Sequence, residues 1–153
     1  MTPSFETSKV ELRAATTADV ASITRLLNSA KLPTIGVGGE RLRFIVAEAG
    51  GALVGVVGTE QCGDRYALLR SAAVTEGFRG RGIGRLLVER AIGEARASGI
   101  EALYLLTTTA EHYFPTFGFS NVERIVVPEA VKATDEFVSA CPASATVMKL
   151  SLD

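Results

Sequence analysis

Phe78-Arg79-Gly80-Arg81-Gly82-Ile83-Gly84 runs directly into RLLVERAIGEARASG, residues 85–99, and this stretch decides how the chain is read. Glycines at 80, 82 and 84 remove the Cβ atoms that keep a ligand away from backbone, so a turn here can aim bare amides at one point. The run that follows is amphipathic at helical spacing. Ile83, Leu86, Leu87, Ala91, Ile92 and Ala95 are read onto one face, and Arg85, Glu89, Arg90, Glu94 and Arg96 onto the other. A helix starting at the loop offers its first amides and the positive end of its dipole there, beside Arg79, Arg81 and Arg85. That combination is an anion site, most naturally one for a phosphate.

Two familiar phosphate loops do not fit. The dinucleotide fingerprint G-x-G-x-x-G differs from the G-x-G-x-G spacing here, and three consecutive strands lead directly into the loop. The pattern G-x-x-x-x-G-K-[ST] fails because Arg85 follows Gly84. Arg79-Gly80-Arg81-Gly82-Ile83-Gly84 instead resembles the acyl-CoA pyrophosphate loop of the GNAT N-acetyltransferases, R/Q-x-x-G-x-G/A. Taken alone, six residues also suit a glycine-rich surface turn with solvated arginines, so the flanks have to decide.

The 153 residues are 47% apolar, enough for one domain with a proper core. Sixteen Lys and Arg against 17 Asp and Glu give a net charge of −1, with no global pull toward nucleic acid or an anionic membrane. The arginine excess is local to the loop. No long apolar run is present, and MTPSFETSK lacks the basic-then-apolar order of a signal peptide. Cys62 and Cys141 lie far apart with no C-x-x-C, so neither a disulfide framework nor a zinc site follows. The expectation is a soluble cytoplasmic protein, with a disordered leader at 1–9 and a single domain at 10–153.

Along the chain, VELR (10–13) reads as a first strand. Thr16-Thr17-Ala18-Asp19 then opens a helix carrying Val20, Ile23, Leu26 and Leu27. KLPTIGVGG (31–39) is a loop that could cover a substrate site or simply connect elements. FIVAE and ALVGVVGT are strands joined at Gly50-Gly51, a two-residue hairpin signal. After a turn at Gly63-Asp64, YALLRSAAV (66–74) feeds the glycine loop. ALYLLT (102–107) is a buried strand, and Thr108 or Thr109 caps a short helix over 110–117. Strands are expected at 119–127 and 145–152, with a helix at 128–140 between them. This order predicts a mixed α/β sheet with ligand at the strand ends.

The resemblance to the GNAT superfamily extends over about residues 10–152. It is carried by LLRSAAV before the loop, the amphipathic helix after it, the strand ALYLLTTT, and AEHYFPT running into Phe117-Gly118-Phe119. LLRSAAV, LYLLTTTAEHYF and CPASA followed by Met148 further resemble the N-acetyltransferases encoded with arsenic-resistance genes. The resemblance implies a GNAT-type acyl-CoA N-acyltransferase fold, a mixed sheet of about seven strands flanked by helices. It also implies acetyl-CoA as cosubstrate, no metal, a small-molecule amine as acceptor, and the homodimer common in the superfamily. Acetyl-CoA would lie where the strands Leu69–Val74 and Leu103–Thr107 splay. Backbone groups of Ala72, Ala73 and Val74 would bond its pantetheine arm, and the amides of Arg79, Gly80, Arg81, Gly82, Ile83 and Gly84, with Arg85 nearby, its pyrophosphate.

An amine must lose a proton to attack a thioester, so a carboxylate or a water chain should face that cleft. Glu60, ending a strongly apolar strand, is the first candidate. The alternative is that it lies past the buried part and is solvated. Glu111 has an adequate structural reason at a helix start. The family often protonates the departing thiolate with a Tyr four residues before the Gly of the Gly-Phe pair. Phe114 stands there instead, on the cofactor side, so that the neighbouring Tyr113 is the donor, or a water is, or the protonation needs no dedicated residue. Arg70, amid apolar residues, shares a face with Leu68 and Ala72 by strict alternation. It either pairs with a carboxylate such as Glu60 or binds an anionic group of the substrate; Arg43 is a similar case. Thr107 and Thr108 either bond the substrate or cap the next helix. An acyl-CoA-binding module without turnover is the alternative to an enzyme, and Phe114 is the residue that allows it.

Overall fold

The computed structural model describes residues 10–140 and 144–152. The expected leader at 1–9 and Cys141 lie outside the described residues. In chain order the elements are β1 (Glu11–Ala14), a 3-10 turn (Thr17–Asp19) leading into α1 (Val20–Ser29), β2 (Leu42–Ala49), β3 (Ala52–Cys62) and β4 (Tyr66–Val74). A 3-10 turn (Glu76–Phe78), α2 (Ile83–Ala97), β5 (Ala102–Thr107) and a 3-10 turn (Phe114–Phe117) follow. The chain then forms β6 (Ser120–Asn121), a 3-10 turn (Arg124–Val126), α3 (Glu129–Lys132), a π-helical turn (Glu136–Ala140) and β7 (Thr146–Ser151). The strands make one seven-stranded sheet in the order β1-β2-β3-β4-β5-β7-β6. β4 and β5 are parallel, while β1 with β2, β5 with β7 and β6 with β7 are antiparallel, so the sheet is mixed as expected. No helix among the described residues is long and apolar enough to cross a membrane.

Contacts divide the chain into two compact units. One comprises the chain up to Thr59 with Ser71–Ala91, the other Glu60–Arg70 with Ile92 onward.

In the first unit the hairpin turns at Gly50 (φ 58°) and Gly51 (φ 83°), the left-handed pair a two-residue reversal needs. The buried side chains of α1, Ile23, Leu26 and Leu27, pack on Leu42, Phe44, Val46 and Val56. The entry to α1 is fixed by Asp19, whose carboxylate accepts from the Thr16 backbone N–H at 2.8 Å and from both Nη atoms of Arg13 at 2.8 and 2.9 Å. Arg13 and Thr16 hold that carboxyl far below the usual carboxylate range. α2 rests on β3 at Gly55, where a Cβ would come within 3.0 Å of Leu87 and 3.2 Å of Ile83. The face of α2 differs from expectation at two residues: Leu86 is 49% exposed and Val88 is buried. At 100° per residue Leu86 falls behind Ile83, whereas Leu87, Val88, Ala91 and Ala95 turn forward from it onto the buried arc.

In the second unit, Leu68, Tyr104, Leu106, Val127, Val131 and Val147 form the core. The strand expected over 119–127 is cut to Ser120–Asn121. β6 pairs with β7 as far as Asn121↔Met148, the Val122 N–H bonds Val147 O at 3.0 Å, and β7 itself begins at Thr146, so the partner runs out. Ile125 and Val126 are exposed in the turn that follows. The helix expected over 128–140 is broken in two. The Thr134 hydroxyl donates to Val131 O (2.8 Å) and accepts from the Phe137 N–H (3.3 Å), closing one short helix and starting the next turn. The helix expected over 110–117 is reduced to turns ending in Phe114–Phe117 because Pro115 has no N–H to give.

Candidate functional site

The glycine loop is built by backbone geometry. Beyond β4 the Thr75 N–H bonds Val54 O (2.8 Å), and the Phe78 N–H bonds Thr75 O (2.8 Å). Gly80 and Gly82 then take φ of 80° and 82°, which side chains rarely adopt. The Leu86 N–H bonds Gly82 O (3.1 Å), so the loop ends as the first turn of α2 and the preceding amides point out along its axis. A Cβ at Gly80 or Gly82 would meet nothing within 4 Å. These glycines therefore serve the backbone and leave clear space in front of it, which fits a pyrophosphate. The three arginines are held at the loop by ordinary contacts. Arg79 Nε donates to Val74 O (3.0 Å), Arg81 lies 5.2 Å from the Phe78 ring centroid, and Arg85 pairs with Glu89 (3.3 Å). Arg79 thus takes one lone pair of Val74, among the carbonyls expected to serve the pantetheine. Arg79 also joins Arg25, Ser22, Thr75 and Glu76 around an open cavity of about 570 Å³.

β4 is not a regular strand. Ser71 sits in the left-handed region at φ 60°, a cost of about 1–3 kcal/mol for a non-glycine residue. The extra twist ends the strict alternation expected from Arg70 to Ala72. Ala72 is exposed, and it is Ala73 that packs on the α1 cluster. Parallel pairing of β4 with β5 covers Tyr66↔Ala102 to Leu68↔Tyr104, while β5 continues against β7 to Thr107↔Thr146.

Arg70 and Glu60 are brought together. Arg70 Nη1 lies 3.2 Å from Glu60 Oε1, and Nε lies 3.2 Å from Glu136 Oε1. The Arg70 side chain is 1% exposed, that of Glu136 6% and that of Glu60 15%. Two carboxylates share one guanidinium, so the fully ionised cluster carries one surplus negative charge. Burial pushes the Glu136 carboxyl up and the Glu60 charge adds to that, while Arg70 opposes it. Of the two readings open for Arg70, carboxylate pairing is the one the geometry supplies. Glu136 was missed by the sequence reading. Its one signal was Arg70 itself, since an arginine inside an apolar strand needs carboxylate partners.

The other candidates fall elsewhere. Arg43 is exposed and lines a second cavity, of about 370 Å³, with the loop residues Val37, Gly38 and Gly39 and with Phe44 of β2. The cap after β5 is Thr107, not Thr108 or Thr109: its Oγ1 accepts from the Ala110 N–H at 2.9 Å. Thr108 is exposed. Tyr113 is 40% exposed, with its ring edge-on to Phe114 (5.3 Å) and Phe117 (5.2 Å). Among the described residues no group of His, Cys, Asp and Glu could hold a metal ion.

A sequence profile described as the acetyltransferase (GNAT) family matches residues 17–119, from the opening of α1 through the glycine loop to Phe119. The chain belongs to this family. An uncharacterised N-acetyltransferase of Chlorobaculum tepidum is 33% identical over 88 residues, 58% of this chain and 56% of that protein. The amino-acid acetyltransferase of Escherichia coli is 37% identical over 60 residues, 39% of this chain but 14% of that enzyme. The aligned stretches thus span about half, or much less, of these relatives. Solved GNAT structures share the fold. A Mycobacterium tuberculosis protein in complex with CoA superposes with a TM-score of 0.77, 24% identity, and coverage of 94% and 99% of the two chains. N-acetylglutamate synthase of Neisseria gonorrhoeae, in complex with CoA and L-arginine, gives 0.75, 20% identity, and coverage of 94% and 33%.

Proposed function

We propose that this chain transfers the acetyl group of acetyl-CoA to the amine of a small, amino-acid-like molecule by direct attack. The observation that carries the reading is the loop of Gly80 and Gly82, left-handed, open in front and running into α2. Arg79 to Gly84 and Arg85 hold the pyrophosphate, and the backbone of Ala72, Ala73 and Val74 holds the pantetheine arm. Acetyl-CoA, when bound, supplies the acyl group and a leaving thiolate. Glu60 takes the proton the amine loses as its C–N bond forms, and a carboxylate that accepts from Arg70 still has lone pairs for this. As the C–S bond breaks, the Tyr113 hydroxyl returns a proton to the thiolate. Thr107, Thr108, Arg43 and Phe114 line the approaches. An amino-acid-like acceptor is supported by relatives named amino-acid acetyltransferase and by the fold shared with N-acetylglutamate synthase. Arsenic resistance belongs to the same reading on the strength of the branch resemblance, a homodimer on that of the superfamily, and a cytoplasmic location on the composition and charge of the chain.

Calorimetric titration with acetyl-CoA tests it. Binding is expected for the wild type and should collapse in Gly82→Asp, which forces a side chain onto φ 82° and sets a negative charge in the loop. Release of CoA in the presence of free amino acids then separates an enzyme from an acyl-CoA-binding module. A folded wild type that does not bind acetyl-CoA defeats the whole reading.

A further inference from the structure

We propose that Glu136 is a positioning residue, acting through the Arg70 guanidinium to set the direction and the charge environment of Glu60. The inference rests on the reading of Glu60 as the group that takes the amine's proton. A guanidinium is planar and its donors are fixed relative to one another. With Nε held by Glu136 at 3.2 Å, the plane of Arg70 is set and Nη1 can meet Glu60 from one direction only. The exposure gradient runs the same way. Arg70 and Glu136 are sealed, and Glu60 is the member that solvent reaches.

Simple charge pairing does not account for the arrangement. Glu60 alone would neutralise Arg70, and a second carboxylate at 6% exposure costs desolvation that one ion pair does not require. The chain nevertheless goes out of its way to present it. Thr134 breaks the preceding helix with its own hydroxyl, and Glu136 opens a π-helical turn, a geometry that recurs at functional sites. Among the described residues, Arg70 from β4 meets Glu60 and, beyond it, Glu136 from the π turn faces the same guanidinium. While both carboxylates are ionised, the charge of Arg70 is divided between them. Neutralising Glu136 removes the carboxylate that competes with Glu60 for the charge of Arg70.

The test compares Glu136→Gln, Glu136→Ala and Glu60→Gln with wild type, following CoA release from acetyl-CoA with the free amino acids as acceptors across pH. Glu136→Gln keeps an oxygen for Arg70 Nε and removes the charge. It is expected to keep its KM for acetyl-CoA, lose kcat, and move the acid limb of kcat/KM down by about one pH unit. Glu136→Ala frees the guanidinium and should lower kcat roughly tenfold or more. Should it fail to fold, the near-isosteric Gln variant carries the test alone. If Glu60→Gln is inactive while Glu136→Gln matches wild type in kcat and pH profile, the inference falls and the role of Glu60 stands. If Glu60→Gln is as active as wild type, the proton-accepting role itself is wrong, and so is anything positioned for it. Absence of turnover with every acceptor overturns both.

Discussion

Arg70→Met removes the guanidinium from between Glu60 and Glu136 while keeping most of the side chain's length. What remains is a pair of carboxylates, 15% and 6% exposed, with the cation between them gone. Breaking a buried ion pair by deleting one partner typically costs about 3–5 kcal/mol. Partial hydration of Glu60 argues for the lower end, about 3 kcal/mol, which for a domain of this size is a fall in melting midpoint of about 6–12 °C. The sign with pH follows from linkage. Burial already pushes the Glu136 carboxyl above the ordinary glutamate range, and without Arg70 nothing opposes that rise. The loss should therefore be smallest at acid pH, where Glu136 is protonated, and grow as pH rises through its raised folded value. Urea denaturation followed by circular dichroism at pH 5 and pH 8 measures it. Adding Glu60→Gln and Glu136→Gln to Arg70→Met should restore most of the stability, because a neutral cluster no longer needs the cation. A loss below about 1 kcal/mol, or one equal at both pH values, would refute the account of a buried, charge-coupled cluster.

Two further outcomes follow from packing and capping. Gly58→Ala puts a Cβ at 2.8 Å from Phe44 Cε1 and 3.2 Å from Leu42, against a ring that is itself 7% exposed. It should cost about 1–3 kcal/mol in a denaturation series while leaving the acetyl-CoA titration unchanged. Asp19→Asn should cost about 1 kcal/mol at neutral pH, a modest figure because Arg13 is 37% exposed. Since the folded Asp19 carboxyl lies below its unfolded value, that stability is present above about pH 4 and is lost as pH falls. Urea midpoints of the two proteins should therefore converge on acidification.

The parts of this fold legible in the sequence are those in which local chemistry and tertiary demand agree. Gly50-Gly51, the Thr16/Asp19 entry to α1, the β5 run and the glycine loop each carry their own signal, and each is found where it was expected. The failures share a cause, which is dependence on a distant partner. Val122 to Val127 has the composition of a strand, but strand length there is set by where β7 begins. Nothing in ATDEFVSA says that Thr134 will divide the helix or that Glu136 will turn inward. At the candidate site, the backbone course of the loop could be read because glycine spacing is local. The partner of Arg70 could be guessed in kind, and Glu60 was named. The second carboxylate, 66 residues beyond Arg70 in the chain, could not.

Ser71 has a consequence for comparing this chain with others. A left-handed residue inside β4 resets which side chains point up and which point down, so the two halves of LLRSAAV keep different parities. Any comparison that infers sidedness by counting in twos across this strand will be right up to Arg70 and inverted from Ala72 onward. Residue-by-residue transfer of pantetheine contacts from a relative therefore holds only if the relative carries the same irregularity at the same place.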